Sequence, residues 1–379
     1  MTIAGVCLRC LSNDTFATYR AEAQIRIVHP HAQSTVPSVT FTEIPQLAEL
    51  QSLIEEGHPQ LQARIVCEVQ AGQRRFPIHA LTLGNPSPEV PAVGFFGGVH
   101  GLERIGADVV IAYLRSLVKR LHWDSVLHEQ LQGVRLIFMP LVNPGGLWLG
   151  TRANPNGVDL MRNAPMDAVE PVPFMIGGQR YSRGLPWYRG EPGVPMEAEG
   201  AALCAFVEEE LLSRRFSLAV DCHSGFGSDD RIWFPFAHTT RPIRHLPEIH
   251  ALQTIFEQTH AYHRYVFEPQ SQQYLTHGDL WDYLYLRAQT QGDKVFLPLT
   301  LEMGSWLWIK KNPRQAFSRL GIFNPLINHR QQRVMRRHIA LLDFLARAGS
   351  GYQRWLPTTV TARQQHLSAA MMRWYRSKS

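Results

Sequence analysis

The sequence predicts an α/β fold, a central sheet with helices on both of its faces. Three observations carry that expectation. Four apolar runs of strand length, at 91–96, 134–142, 216–221 and 295–301, read as strands buried on both sides. Segments with apolar residues at helical spacing, such as 104–120, alternate with them. His100, His223 and Glu302 each follow such a run. Sites in open α/β sheets gather beyond the carboxyl ends of the strands.

Taken in order, 1–23 reads as an irregular leader and 24–28 as a weak first strand. The segment 41–56 carries Ile44, Leu47, Leu50, Leu53 and Ile54 and reads as an amphipathic helix. Strands at 64–70 and 76–83 are joined by a turn at Ala71-Gly72-Gln73. The run 91–96 then turns on Gly97 and Gly98 into a helix, 104–120, marked by Ile105, Val109, Ala112, Tyr113 and Leu117. After 134–142 comes a long segment, 143–195, rich in Gly, Pro and Asn. A stretch that long without periodicity inside a folded unit is commonly functional. Helices are expected at 196–212, 244–261, 278–288 and 330–348, the last with arginines on its outer face. A basic segment at 361–375, containing Met and Trp, reads as a last helix, for which packing fits better than a membrane-surface role.

Composition excludes several classes. The chain has 379 residues, 45% hydrophobic and 18% charged, as in a folded globular protein. The net charge of +6 comes from scattered residues, and no stripe interleaves basic and aromatic side chains, so a nucleic-acid partner is not expected. With no run of about 18 apolar residues and no signal-peptide core at the start, neither a membrane span nor export is expected, and the protein reads as cytoplasmic. Five dispersed cysteines, an odd number, argue against a disulfide framework. Cys7-x-x-Cys10 is a lone pair with no second CxxC to complete a metal site.

The turn Gly97-Gly98-Val99-His100-Gly101-Leu102-Glu103 places an imidazole and a carboxylate three residues apart between a strand and a helix. A cation such as Zn²⁺ accepts both ligand types, and a catalytic site of this kind commonly has three protein ligands. His223, at a strand end beside small residues, is the candidate third. Alternation turns its neighbour Cys222 to the other face, as a core thiol. Glu302 closes an apolar strand, and burying a carboxylate demands a partner or a task. Arg152 and Arg162 bracket a turn built on Asn and Gly. A guanidinium fork suits a carboxylate or a developing oxyanion.

His100-x-x-Glu103, Asn143-Pro144-x-Gly146, the segment from Arg152 to Asn163, His223 and Glu302 occur in the order and context of the zinc metallocarboxypeptidases, and between about 91 and 304 the chain resembles that family. The string RANPNGVDLMRN is most similar to the bacterial branch that includes the murein-peptide amidases, which cleave γ-D-glutamyl-diaminopimelate bonds. The resemblance implies a mixed, largely parallel sheet and a catalytic domain over 61–350, flanked by a leader and extension (1–60) and a basic tail (351–379). It implies one Zn²⁺ per chain, held by His100, Glu103 and His223. Glu302 would be general base for the attacking water and then acid for the leaving amine. Arg152 would polarise the scissile carbonyl, and Asp159 would accept a hydrogen bond from His100. Arg162, Asn163 and the mobile-tyrosine equivalent Tyr274 would bind substrate.

Two positions depart from the family pattern. Met161 stands where most members have an asparagine, and a thioether donates no hydrogen bond to a carboxylate. Counting from Tyr274, the base of the specificity pocket falls near Trp281, with Asp279 and Asp282 close by; an indole there argues against a simple Lys/Arg preference. The expected substrate is a small peptide or an acylated amino acid with a free carboxylate. A deacylase of the aspartoacylase type shares the zinc set and an Asp-Leu-x-Arg string, but Tyr274 with its glycine context favours the peptidase. A catalytically silent binding protein on the same fold is opposed by the full set of ligands and base.

Overall fold

The computed structural model describes residues 44–376. The leader, the weak strand at 24–28 and the Cys7/Cys10 pair lie outside the described residues. In chain order the helices are α1 (Pro45–Gly57), α2 (Arg104–Arg120), α3 (Ser125–Gln132), α4 (Pro144–Leu149), α5 (Ala198–Val207), α6 (Leu246–Thr259), α7 (Leu280–Gln289), α8 (Trp306–Lys311), α9 (Asn328–Ser350) and α10 (Val360–Ala370). The strands are β1 (Gln62–Ala71), β2 (Arg74–Gly84), β3 (Ala92–Gly97), β4 (Arg135–Met139), β5 (Phe216–Ser224), β6 (Arg231–Phe234), β7 (Val266–Pro269) and β8 (Val295–Met303).

All eight strands form one mixed sheet in the order β1-β2-β4-β3-β5-β8-β6-β7. The four apolar runs of the sequence are its middle, β4, β3, β5 and β8, side by side and parallel. Continuous hydrophobicity is what a strand covered on both faces requires. The hairpin β1–β2 joins antiparallel through β2 to β4. At the other edge, β6 runs antiparallel to β8 and parallel to β7.

Adjacent residues on a strand point to opposite faces, and β3 shows which helices cover which side. Phe95 meets Tyr113 of α2, with ring centroids 5.0 Å apart, whereas Phe96 meets Trp281 of α7, also at 5.0 Å. Helices α1 and α9 lie against α2, and α5 against α7. Segments outside 61–350 are packed too. Leu47, Leu50 and Leu53 of α1 are buried. Helix α10 lies on α6, and beyond it Trp374 meets Phe234 and donates its indole N–H to the carbonyl of Phe267 (2.7 Å). Among the described residues no helix is long and apolar enough to cross a membrane.

The elements not expected from sequence are the short ones: β6, β7, α3, α4 and α8. Strands of four residues and helices of six to eight hold too few positions to display a period. The long segment after β4 contains α4 and a single 3₁₀ turn, Leu160–Arg162.

One close approach fixes where the functional residues meet. Helix α2 crosses β5 at Gly106, where a Cβ would lie 2.1 Å from the carbonyl oxygen of Cys222. Only glycine lets the first turn of α2 sit this near the end of β5, and Glu103 precedes that turn. Gly106→Ala is therefore expected to push α2 off β5 and to lower unfolding stability by about 1–3 kcal/mol in denaturant titrations. Unchanged stability would show that the contact yields freely.

Candidate functional site

The carboxyl edge of the parallel strands brings together residues far apart in sequence. His100 and Glu103 lie on the turn after β3. His223 is the eighth residue of β5, and the strand register pairs it directly with Glu302 on β8. Nδ1 of His100 is 2.9 Å from one oxygen of Glu103, and Nδ1 of His223 is 3.1 Å from the other. The two Nδ1 atoms are 3.3 Å apart. Among the described residues these three are the group whose ligand atoms could hold a metal ion, all within 4.8 Å of one another.

Each imidazole is held from behind by a carboxylate. Nε2 of His100 lies 3.0 Å from Asp159 and Nε2 of His223 lies 2.7 Å from Asp221. With those nitrogens donating, both Nδ1 lone pairs face the same point, which also receives the Glu103 oxygens. Ligands backed in this way are the usual arrangement around a metal. The charges agree. Glu103, Asp159, Asp221 and Glu302 are four buried carboxylates, and Arg152 and Arg162 supply two guanidiniums. That excess of buried carboxylates favours a cation at the three converging atoms. Two imidazoles and a carboxylate, three protein donors rather than four, fit Zn²⁺ in a catalytic rather than a closed structural site.

Arg152 bridges the site, donating to Glu103 (2.8 Å) and to Asp159 (2.9 Å), while its Nη2 takes part in neither pair. Arg162 reaches the same Asp159 oxygen (3.3 Å) and donates Nε–H to the carbonyl of Ile176 (2.8 Å). Burial works to raise the carboxyls of Asp159 and Glu103. The two arginines and His100 hold Asp159 well below the ordinary carboxylate range, and His100, His223 and Arg152 do the same for Glu103. The backbone N–H of Ser224 also donates to Glu103 (3.0 Å).

Glu302 is different. It receives one hydrogen bond, from the backbone N–H of Phe226 (2.9 Å), and no ion pair with an arginine or lysine engages it among the described residues. Burial, reinforced by the nearby charge of Glu103, pushes its carboxyl up to about 8. A cation at the three ligands would pull it back down. A buried carboxylate whose affinity for a proton is this adjustable suits proton transfer. Half-buried Tyr274 completes the site. Its hydroxyl is paired with Arg162, and its ring packs on Phe226 (5.7 Å) and Trp233 (6.0 Å).

The structure thus brings His100, Glu103, His223, Glu302, Arg152, Arg162 and Tyr274 into one cluster. Asn163 is held by the loop around it. Its amide donates to the carbonyl of Arg189 (2.8 Å) and its oxygen accepts from the N–H of Glu197 (2.7 Å), tying down the long loop. The side chain of Met161 is buried in the apolar core, while its N–H donates to the Asp159 carboxylate (3.1 Å). Trp281 is 2% exposed, beneath the three candidate ligands, and donates its indole N–H to Asp221 (2.9 Å). Asp279 caps α7, and Asp282 accepts from the N–H groups of Ala237 and His238. Asp221 was not among the expected site residues; the signal that could have found it is Asp221-x-His223 on one strand, which puts both side chains on one face. Cys222 points away, and burial together with Asp221 keeps its thiol protonated.

Comparison with known proteins gives consistent findings. A family model described as zinc carboxypeptidase matches residues 68–306. Carboxypeptidase E of Caenorhabditis elegans is 28% identical over 158 residues, 38% of this chain and 32% of that protein. Carboxypeptidase SOL1 of Arabidopsis thaliana is 29% identical over 93 residues, 24% of this chain and 19% of that protein. The chain therefore spans about a third or less of the length of these curated relatives. Among solved structures, thrombin-activatable fibrinolysis inhibitor superposes with a TM-score of 0.57 at 16% identity, covering 80% of this chain and 72% of that one. Carboxypeptidase A of Helicoverpa armigera gives 0.50 at 16% identity, covering 77% and 71%. These structural likenesses show a shared fold.

Asp159 is the hub joining His100 to both arginines. Asp159→Asn is expected to weaken zinc retention about 10–100-fold in chelator competition, the range typical of partners behind a metal ligand. Unaltered retention would deny Asp159 that task.

Proposed function

The chain belongs to the zinc carboxypeptidase family, and from that premise we propose that it is a metallopeptidase that hydrolyses the peptide or amide bond next to a free carboxylate. The observation that carries this reading is the pairing of His223 with Glu302 across β5 and β8, which sets an acid–base carboxylate beside the three converging ligand atoms. One zinc ion per chain, held by His100, Glu103 and His223, would supply Lewis acidity toward a water molecule and toward the scissile carbonyl.

The protein's own groups do the rest. Glu302 accepts a proton from the attacking water at its carboxylate oxygen, holds it in the buried site, and delivers it to the departing amine. The Phe226 N–H fixes the carboxylate's orientation for both transfers. Arg152, already anchored by Glu103 and Asp159, presents Nη2 where negative charge grows on the carbonyl oxygen. A donor placed in advance for that charge favours the transition state over the ground state. Arg162, at the deep end of the cluster, pairs with the substrate's terminal carboxylate, and Tyr274 closes over it from the aromatic wall. With Met161 in the core, that carboxylate relies on the guanidinium fork and the tyrosine. The substrate is a small peptide. Cys67, Cys204 and Cys222 are all free thiols, which fits work in the cytoplasm.

Digestion of a mixed panel, read by mass spectrometry, tests the proposal. The panel holds free-ended peptides, their amidated counterparts, a γ-D-glutamyl-diaminopimelate peptide and N-acyl-amino acids. The zinc-loaded enzyme is expected to release the last residue of free-ended peptides. Cleavage of the acyl-amino acids alone would reassign it as a deacylase. Glu302→Gln should keep one zinc per chain and lose about 10²–10⁴-fold in kcat; near-normal turnover would remove Glu302 from the chemistry. Arg162→Lys keeps the charge beside Asp159 but loses the fork. It should raise KM for free-ended peptides about tenfold while leaving blocked esters nearly unchanged, and an equal effect on both would exclude carboxylate capture.

A further inference from the structure

The two imidazole ligands are supported unequally. Behind His100, Asp159 receives His100, Arg152, Arg162 and the N–H of Met161. Behind His223, Asp221 has two partners, both on the same oxygen: Nε2 of His223 at 2.7 Å and the indole N–H of Trp281 at 2.9 Å. Its other oxygen is buried and has no partner. Asp221 is fully buried, and an unanchored carboxylate there can rotate about its side-chain bonds and carry the imidazole with it.

Trp281 is well placed to prevent that. It lies in the first turn of α7, where the Asp279 carboxylate caps its backbone N–H (3.0 Å) and so sets the register of the helix. Phe96 packs edge-on against the indole, with ring centroids 5.0 Å apart. The line of contact runs from a helix cap through an indole to a carboxylate and on to a metal ligand.

We propose that Trp281 is a positioning residue for the metal centre: its indole N–H locks Asp221, so that His223 keeps its proton on Nε2 and aims Nδ1 at the cation. This rests on the reading that His100, Glu103 and His223 hold zinc. The residue that chain counting puts under a specificity pocket instead tunes how firmly the metal is held.

The test compares Trp281→Phe with Phe96→Leu. The first keeps an aromatic ring against Phe96 and removes the donor; the second loosens packing on the indole and keeps the donor. Zinc affinity is read by chelator competition, thermal unfolding of the metal-free protein gives the structural cost, and the visible spectrum of the cobalt(II)-substituted protein reports ligand geometry. Trp281→Phe is expected to bind zinc about 10–100-fold more weakly with an altered cobalt spectrum. Phe96→Leu is expected to stay within about threefold of the parent even where its unfolding temperature falls as far. If the Phe variant does not fold, benzothienylalanine at 281 removes the N–H at nearly unchanged shape and is expected to show the same loss. Parent-like zinc affinity in the donor-less variant, or an equal loss in Phe96→Leu, would overturn the role of Trp281. A parent protein that binds no zinc would overturn the metal centre itself.

Discussion

Three electron-rich atoms meet in a dry space at the carboxyl edge of this sheet, and the rest of the site is a response to that meeting. Two imidazole nitrogens 3.3 Å apart, with a carboxylate against both, repel one another unless a positive charge lies between them. In a buried setting that repulsion is only weakly screened. The carboxylates behind each imidazole sharpen it, because they commit the outer nitrogens to donation and leave both inner lone pairs facing inward. A cation between them would relieve that repulsion, and binding it would then be coupled to the local fold.

The guanidiniums follow from the same constraint. Asp159 is buried and charged, which is costly unless matched. Arg152 and Arg162 match it, and both come from the one long irregular segment. That segment is stiff for identifiable reasons. Asn154 accepts from the N–H groups of Asn156 and Val158 and donates to Glu197 and Glu199. Asn163 ties its far side to Arg189 and Glu197. A helix or strand could not turn two arginines ten residues apart onto one carboxylate. A loop made rigid by asparagine side chains can.

Much of this was legible in the chain because the signals are periodic or terminal. Apolar runs of strand length gave β3, β4, β5 and β8, and residues just beyond their ends gave His100, Glu103, His223 and Glu302. The edge strands β6 and β7 carry four residues each, too few to show alternation. Asn163 illustrates a different limit. Its type and place beside Arg162 suggest a substrate contact, but which way an amide points depends on loop partners more than twenty residues away.

Trp281 shows most sharply what spacing omits. Distance along the chain from Tyr274 locates the residue in the right helix but says nothing of the face it occupies. That is decided by the Asp279 cap, which starts α7 two residues earlier and rotates the indole toward the sheet. There the ring meets Phe96 on β3 and Asp221 on β5, the two strands that deliver the histidine ligands. One side chain thereby touches both of these strands from below. The same burial that removes Trp281 from the substrate's reach gives its N–H a water-free acceptor, where a hydrogen bond is electrostatically stronger than at a surface. An indole at this position would therefore bear on how firmly the ligands are aimed, and in the proposed reading the choice of substrate falls to Arg162, Tyr274 and the aromatic wall behind it.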